Sequence, residues 1–156
     1  MAEEQKNDEM NLLGVEEQFC FAVYSASHAL NKMYKPMLDE LGLTYPQYLA
    51  MLVLWRYDGL RVGELGRSLY LESSTLTPLL KRLESQGLVE RARSPGDERH
   101  VRVYLTTTGN DLRERAKSVA PAIIKATGID PSTLDSLREQ LFEIRNNLLE
   151  ASRNRV

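Results

Sequence analysis

The 156-residue sequence contains one cysteine, Cys20. It is set among Phe19, Phe21 and Val23, with Tyr24 one helical turn further on. A lone cysteine in an apolar stretch is usually a buried structural thiol. The other reading is a reactive thiolate, which is favoured near the positive end of a helix and beside phenol donors. His28 lies eight residues along, about 12 Å by helical rise, so a nucleophilic Cys–His pair is out of reach. A second set of residues suits nucleic acid instead. On a helix from Ser74 to Gln86, residues Ser74, Thr77, Pro78, Lys81, Arg82 and Ser85 fall opposite an apolar stripe of Leu76, Leu79, Leu80 and Leu83. With Ser73 and Thr75 they place hydroxyls at a helix N-terminus and cations beyond it, a pattern that suits phosphates and base edges. Arg91, Arg93 and Arg99 follow in a basic hairpin. An arginine at its tip can enter a narrow minor groove, and Asp97 is spaced to pin the Arg99 guanidinium. The plainer alternative is a solvated helix face with a surface ion pair worth under ~1 kcal/mol.

Composition narrows the chemistry. The chain has 20 Lys+Arg, 22 Asp+Glu and two His, with 42% hydrophobic residues, as a folded domain of ordinary size requires. One cysteine excludes an internal disulfide, and one Cys with two His is too few soft ligands for a structural zinc site. No metal or cofactor is expected. The longest apolar run, residues 48–55, is far short of a membrane helix. Charge is unevenly spread. Residues 1–20 are strongly acidic, whereas residues 73–104 carry six bases against four acids. A mildly basic centre suggests a small anion-facing surface.

The elements that must position these residues read as follows. Residues 1–14 form a polar tail. Phe19, Cys20, Val23, Ala26, Leu30, Met33, Met37 and Leu41 mark a long helix to Leu41, with a bend or break expected near Tyr34–Lys35 because of Pro36. Thr44 or Tyr45 caps a core helix with Pro46 in its first turn. A short helix from Arg61 to Leu69, a turn, and a helix capped by Ser73 or Ser74 and stopped by Gly87 make a helix-turn-helix. Residues 88–93 and 100–105 form a β-hairpin wing around a Ser94–Glu98 turn. A helix from Thr106 to about Ala126 and a last one after Asp130-Pro131 complete the chain. The fold class is mainly α with a small β wing, a winged helix-turn-helix over residues 44–105 flanked by helical segments 15–43 and 106–156, to which the family resemblance given next assigns dimerisation.

Asp97-Glu98-Arg99 followed by Leu105-Thr106-Thr107-Thr108-Gly109 resembles the D-x-R-x5-L-T-x-x-G signature of MarR-family regulators. The Leu76–Glu84 run and Gly87-Leu88-Val89 are similar to that family's recognition helix and following strand. The likeness spans residues 15–150 and implies an intertwined homodimer that binds double-stranded DNA. The segments around Cys20, Tyr34-Lys35-Pro36 and Leu43–Leu49 further resemble the organic-hydroperoxide-sensing branch. That resemblance implies that Cys20 is the redox sensor, hydrogen-bonded by Tyr34 and Tyr45 of the partner subunit with Tyr24 nearby. It also implies a one-cysteine scheme in which the sulfenic acid condenses with a low-molecular-weight thiol or over-oxidises. The expectation is a cytoplasmic repressor, not an enzyme, released from a palindromic operator by organic hydroperoxides. The alternatives are a repressor released by a small aromatic ligand with Cys20 structural and, further off, a thiol peroxidase, against which no resolving cysteine is present.

Overall fold

The computed structural model describes residues 14–94 and 97–154; the polar tail and the Pro95-Gly96 tip lie outside them. A 3-10 turn, Val15–Glu17, precedes helix α1, Phe19–Leu41. Helix α2, Tyr45–Arg56, follows. Strand β1 is Leu60–Arg61, and α3 is Val62–Leu69. Helix α4, Ser73–Ser85, leads into β2, Val89–Ser94, and β3, Asp97–Leu105. Helices α5, Thr107–Ala116, α6, Val119–Thr127, and α7, Pro131–Arg153, end the chain. Close contacts divide it into one unit ending at Val119 and another from Ala120 onward.

The core of the first unit is built where the leucine periodicity predicts. Leu76, Leu79, Leu80 and Leu83 of α4 are buried with Met51 and Leu54 of α2, Leu65 of α3 and Val103 of β3. Tyr48 and Trp55 of α2 belong to the same cluster. Thr44 is the N-cap of α2, and its capping box with Gln47 confirms the expected start; the backbone N–H of Thr44 donates to Gln47 Oε1 at 2.8 Å.

The last part of the signature has a packing role. Thr106 caps α5: its Oγ1 accepts from the Gly109 N–H at 3.0 Å and donates to the Gly87 carbonyl at 2.6 Å. A Cβ on Gly109 would overlap the Leu88 carbonyl, so only glycine lets α5 pass this close to the β2 entry. The Gly109 carbonyl accepts from Trp55 Nε1 at 2.9 Å, which ties α5 to α2.

Five sequence expectations are corrected. Helix α1 runs unbroken through Pro36, which costs one i→i−4 hydrogen bond without ending the helix. The helix expected from Thr106 to Ala126 is interrupted at Lys117–Ser118. Pro121 is the reason: it has no N–H to donate to the Lys117 carbonyl. Arg61, expected to open the short helix, instead forms a strand with Leu60, the two pairing with Arg102 and Val103, so the wing is a three-stranded antiparallel sheet of order β1-β3-β2. The β2–β3 hairpin is also longer than read, with Ser94 opposite Asp97. The N-cap of α4 is Glu72, with Ser73 already inside the helix, because the Glu72 carbonyl accepts from the Leu76 N–H at 2.9 Å.

Candidate functional site

The exposed face of α4 carries Ser73, Ser74, Thr75, Thr77, Pro78, Lys81 and Arg82, all open to solvent above the buried leucines. Pro78 lies on this face well inside the helix. Helix α4 is presented by the turn after α3, where Tyr70 takes the left-handed conformation (φ 55°) that closes α3. Among non-glycine residues of the described chain, Tyr70 alone does so, and it marks where α3 must turn sharply into α4.

On the wing, Arg91 and Arg93 are two residues apart on β2 and share one face of the sheet. Arg91 is engaged with α4. Its Nη2 and Nε donate to Glu84 Oε2 at 2.7 and 3.1 Å, and its backbone N–H donates to Glu84 Oε1 at 3.2 Å. The Arg91 guanidinium holds the Glu84 carboxyl below its ordinary value. The charge of Arg91 is therefore partly spent on fixing the wing strand against α4, while Arg93 is exposed. The side chains of Asp97 and Arg99 lie outside the described residues.

The cysteine region is built differently. Cys20 is a free, exposed thiol in the first turn of α1. Within the chain it is no core thiol. Tyr24 stacks on Phe21 with centroids 6.2 Å apart, and the His28 ring lies 4.3 Å from Tyr24. Tyr34 is fourteen residues further along the same helix, roughly 21 Å by helical rise. It packs against Tyr45 with ring centroids 4.6 Å apart, and Tyr48 completes a three-ring cluster at 6.1 and 6.5 Å. Burial, then the neighbouring Tyr45 and Tyr48, push the Tyr34 phenol up to about 12. Burial raises Tyr48 as well. Tyr34 thus keeps its proton at neutral pH and remains a hydrogen-bond donor. Beside these rings a cavity of about 230 Å³ opens, bordered by Asn31, Tyr34, Lys35, Leu38, Thr44 and Tyr45.

The fold therefore brings Tyr34 and Tyr45 together and leaves Cys20 with Tyr24 at the far end of α1. Tyr48 was missed in the sequence, although Tyr45-Pro-Gln-Tyr48 places both rings on one turn of α2. Among the described residues no group of three or more His, Cys, Asp or Glu is placed to hold a metal. None of the described helices is long and apolar enough to cross a membrane.

Comparison with known proteins bears on both regions. The SarA/Rot transcriptional regulator family matches residues 32–116. The organic hydroperoxide resistance transcriptional regulator of Bacillus subtilis is 44% identical over 145 residues, which is 93% of this chain and 97% of that protein. The chain belongs to the MarR/SarA family of winged-helix transcriptional regulators. In that family the mainly helical fold with its sheet wing, and the role of regulator rather than enzyme, are as expected from the sequence. Among solved family structures, reduced AbfR bound to DNA superposes with a TM-score of 0.73 at 34% identity, covering 93% of this chain and 99% of that one. Overoxidised AbfR bound to DNA gives a TM-score of 0.72 at 35% identity, covering 92% and 98%. AbfR comes from Staphylococcus epidermidis.

Proposed function

We propose that this regulator is a cytoplasmic homodimer that represses transcription at a palindromic operator and lets go when an organic hydroperoxide oxidises Cys20. Helix α4 enters the major groove with Ser73, Ser74, Thr75, Thr77 and Pro78 toward the bases and Lys81 and Arg82 toward phosphates. The wing brings Arg93 and Arg99 to the minor groove, with Asp97 orienting Arg99 and Arg91 steadying the strand. The observation that carries the sensing half is the separation of Cys20 from Tyr34. At roughly 21 Å along one helix the two cannot meet within a chain, so Tyr34 and Tyr45 reach the sulfur only from a second copy. The exposed apolar residues of α1 (Phe19, Val23, Leu30, Met33) and α7 (Leu137, Leu141, Phe142, Leu148) supply the surface for that pairing.

The thiolate attacks the terminal peroxide oxygen, the O–O bond breaks, and the alcohol leaves, so sulfur is oxidised by two electrons to sulfenate. With no second cysteine in the sequence, the sulfenic acid condenses with a low-molecular-weight thiol, releasing water, or is oxidised further by more hydroperoxide. Added bulk and charge at the subunit boundary shift the two recognition helices. Half-sites lie about 34 Å apart on B-DNA, so a shift of a few ångströms spoils both fits together. Operator binding by gel shift with and without cumene hydroperoxide tests this. The parent is released and Cys20→Ser is retained on DNA; a Cys20→Ser protein released as readily as the parent ends the sensing assignment.

A further inference from the structure

Helix α1 carries Cys20 in its first turn and ends in Gly42, about 33 Å away. It packs on α2 and α5, and α2 in turn packs on α4. Between the end of α1 and the end of α4 lies an open cleft of about 410 Å³, bordered by Asp39, Gly42, Thr44, Arg82, Ser85 and Gln86. One side chain spans it. Gln86, the C-cap of α4, donates from Nε2 to the Gly42 carbonyl at 2.7 Å.

The acceptor is well chosen. The last carbonyls of a helix have no intrahelical partner, and they carry the negative end of its dipole. Gly42 takes the left-handed conformation (φ 68°) that closes α1. Two residues back, the Glu40 carbonyl accepts from Arg115 Nη2 of α5 at 2.6 Å. The end of α1 is thereby held by two long side chains, one from the recognition helix and one from the helix after the wing. The residues are 44 and 75 positions apart in sequence, so these are tertiary links.

We propose that Gln86 is a positioning residue that couples α1 to the recognition helix, so that displacement of α1 is passed to α4 through the Gln86–Gly42 hydrogen bond. This rests on the reading of Cys20 as the sensor, and it names the route by which that sensor moves the DNA-reading helix. Packing through α2 keeps α4 in place in the reduced protein, while the strut makes α4 follow α1.

The test measures operator affinity by gel shift for the full-length parent, Gln86→Leu, Gln86→Lys and Cys20→Ser, each reduced and after cumene hydroperoxide. Melting temperatures are recorded alongside. Gln86→Leu keeps its shape and loses the donor; its reduced affinity stays within about twofold of the parent, and its oxidative release ratio falls about fivefold, the factor for one ordinary hydrogen bond. Gln86→Lys restores a donor and recovers the ratio. A release ratio unchanged in Gln86→Leu, or an equal loss of reduced and oxidised affinity, overturns the coupling. If Cys20→Ser is released as fully as the parent, the sensor assignment falls, and the Gln86→Leu ratio still decides whether release passes through the strut. A parent that hydroperoxide does not release overturns both.

Discussion

The winged helix-turn-helix and the two long helices at the chain's ends satisfy their apolar side chains in opposite ways. Leu80 of α4 is fully buried, whereas Leu148 of α7 is 64% exposed. Residues 45–116 fold around one buried core that also takes in Leu38, Leu43 and Val119, with α4 packed on α2, α3 and the sheet. Along α1 and α7 the helical pattern is equally clear, yet Phe19, Val23, Leu30, Leu137 and Leu141 point to solvent in a single chain. A periodic apolar stripe left exposed in a single chain suits the second copy proposed above. The winged helix-turn-helix thus packs within one chain, whereas the sensing part proposed above needs two.

The strongest way to break this contrast is to charge the exposed stripe. Leu137→Asp combined with Leu141→Asp yields monomers in sedimentation and lowers operator affinity at least about a hundredfold, because the second half-site no longer binds as an intramolecular partner. Retained dimers in that variant would place the interface elsewhere. Next is the packed core of the winged helix-turn-helix. Gly109→Ala forces a methyl onto the Leu88 carbonyl and costs about 3 kcal/mol of stability in chemical denaturation. A near-parental midpoint would mean that α5 can slide away from β2.

Smaller effects sharpen the DNA side. Lys81→Ala weakens binding across sequences alike and reduces the salt slope of the affinity by about 1, as loss of one phosphate contact does. An unchanged slope would move Lys81 off the DNA backbone. Smallest is the clamp between α4 and the wing. The Glu84 carboxyl lies below its ordinary value when folded, so the Arg91 pair stabilises above the ordinary carboxylate range and that contribution is lost as pH falls through the lowered folded value. Both side chains are about one-third exposed, so Glu84→Gln costs roughly 0.5 kcal/mol at pH 7. The difference from the parent closes as pH falls through that lowered folded value and Glu84 takes up its proton.

Much of the fold was legible because its signals are local. Thr44 followed by Pro46 and Gln47 starts a helix by capping chemistry alone, and Asp130 before Pro131 does so again, its carboxylate accepting from the Thr133 N–H at 3.0 Å. Leu76, Leu79, Leu80 and Leu83 declare a buried face by spacing. The failures were also physical. Leu60–Arg61 is too short to show alternation, and it becomes a strand only because Val103 and Arg102 are there to pair with it. Arg91 reads as a free cation until Glu84 is brought alongside. The Gln86–Gly42 bond joins residues with no pattern between them.

The sequence by itself determined the helices, the recognition face, the wing and the solitude of Cys20, because capping, periodicity and residue chemistry act over a few neighbouring positions. Tertiary structure alone decided that Tyr34, Tyr45 and Tyr48 form one cluster, that Cys20 stands apart from it, and that α1 ends on the side chains of Gln86 and Arg115. Those relations depend on distances across the fold, which no spacing along the chain encodes.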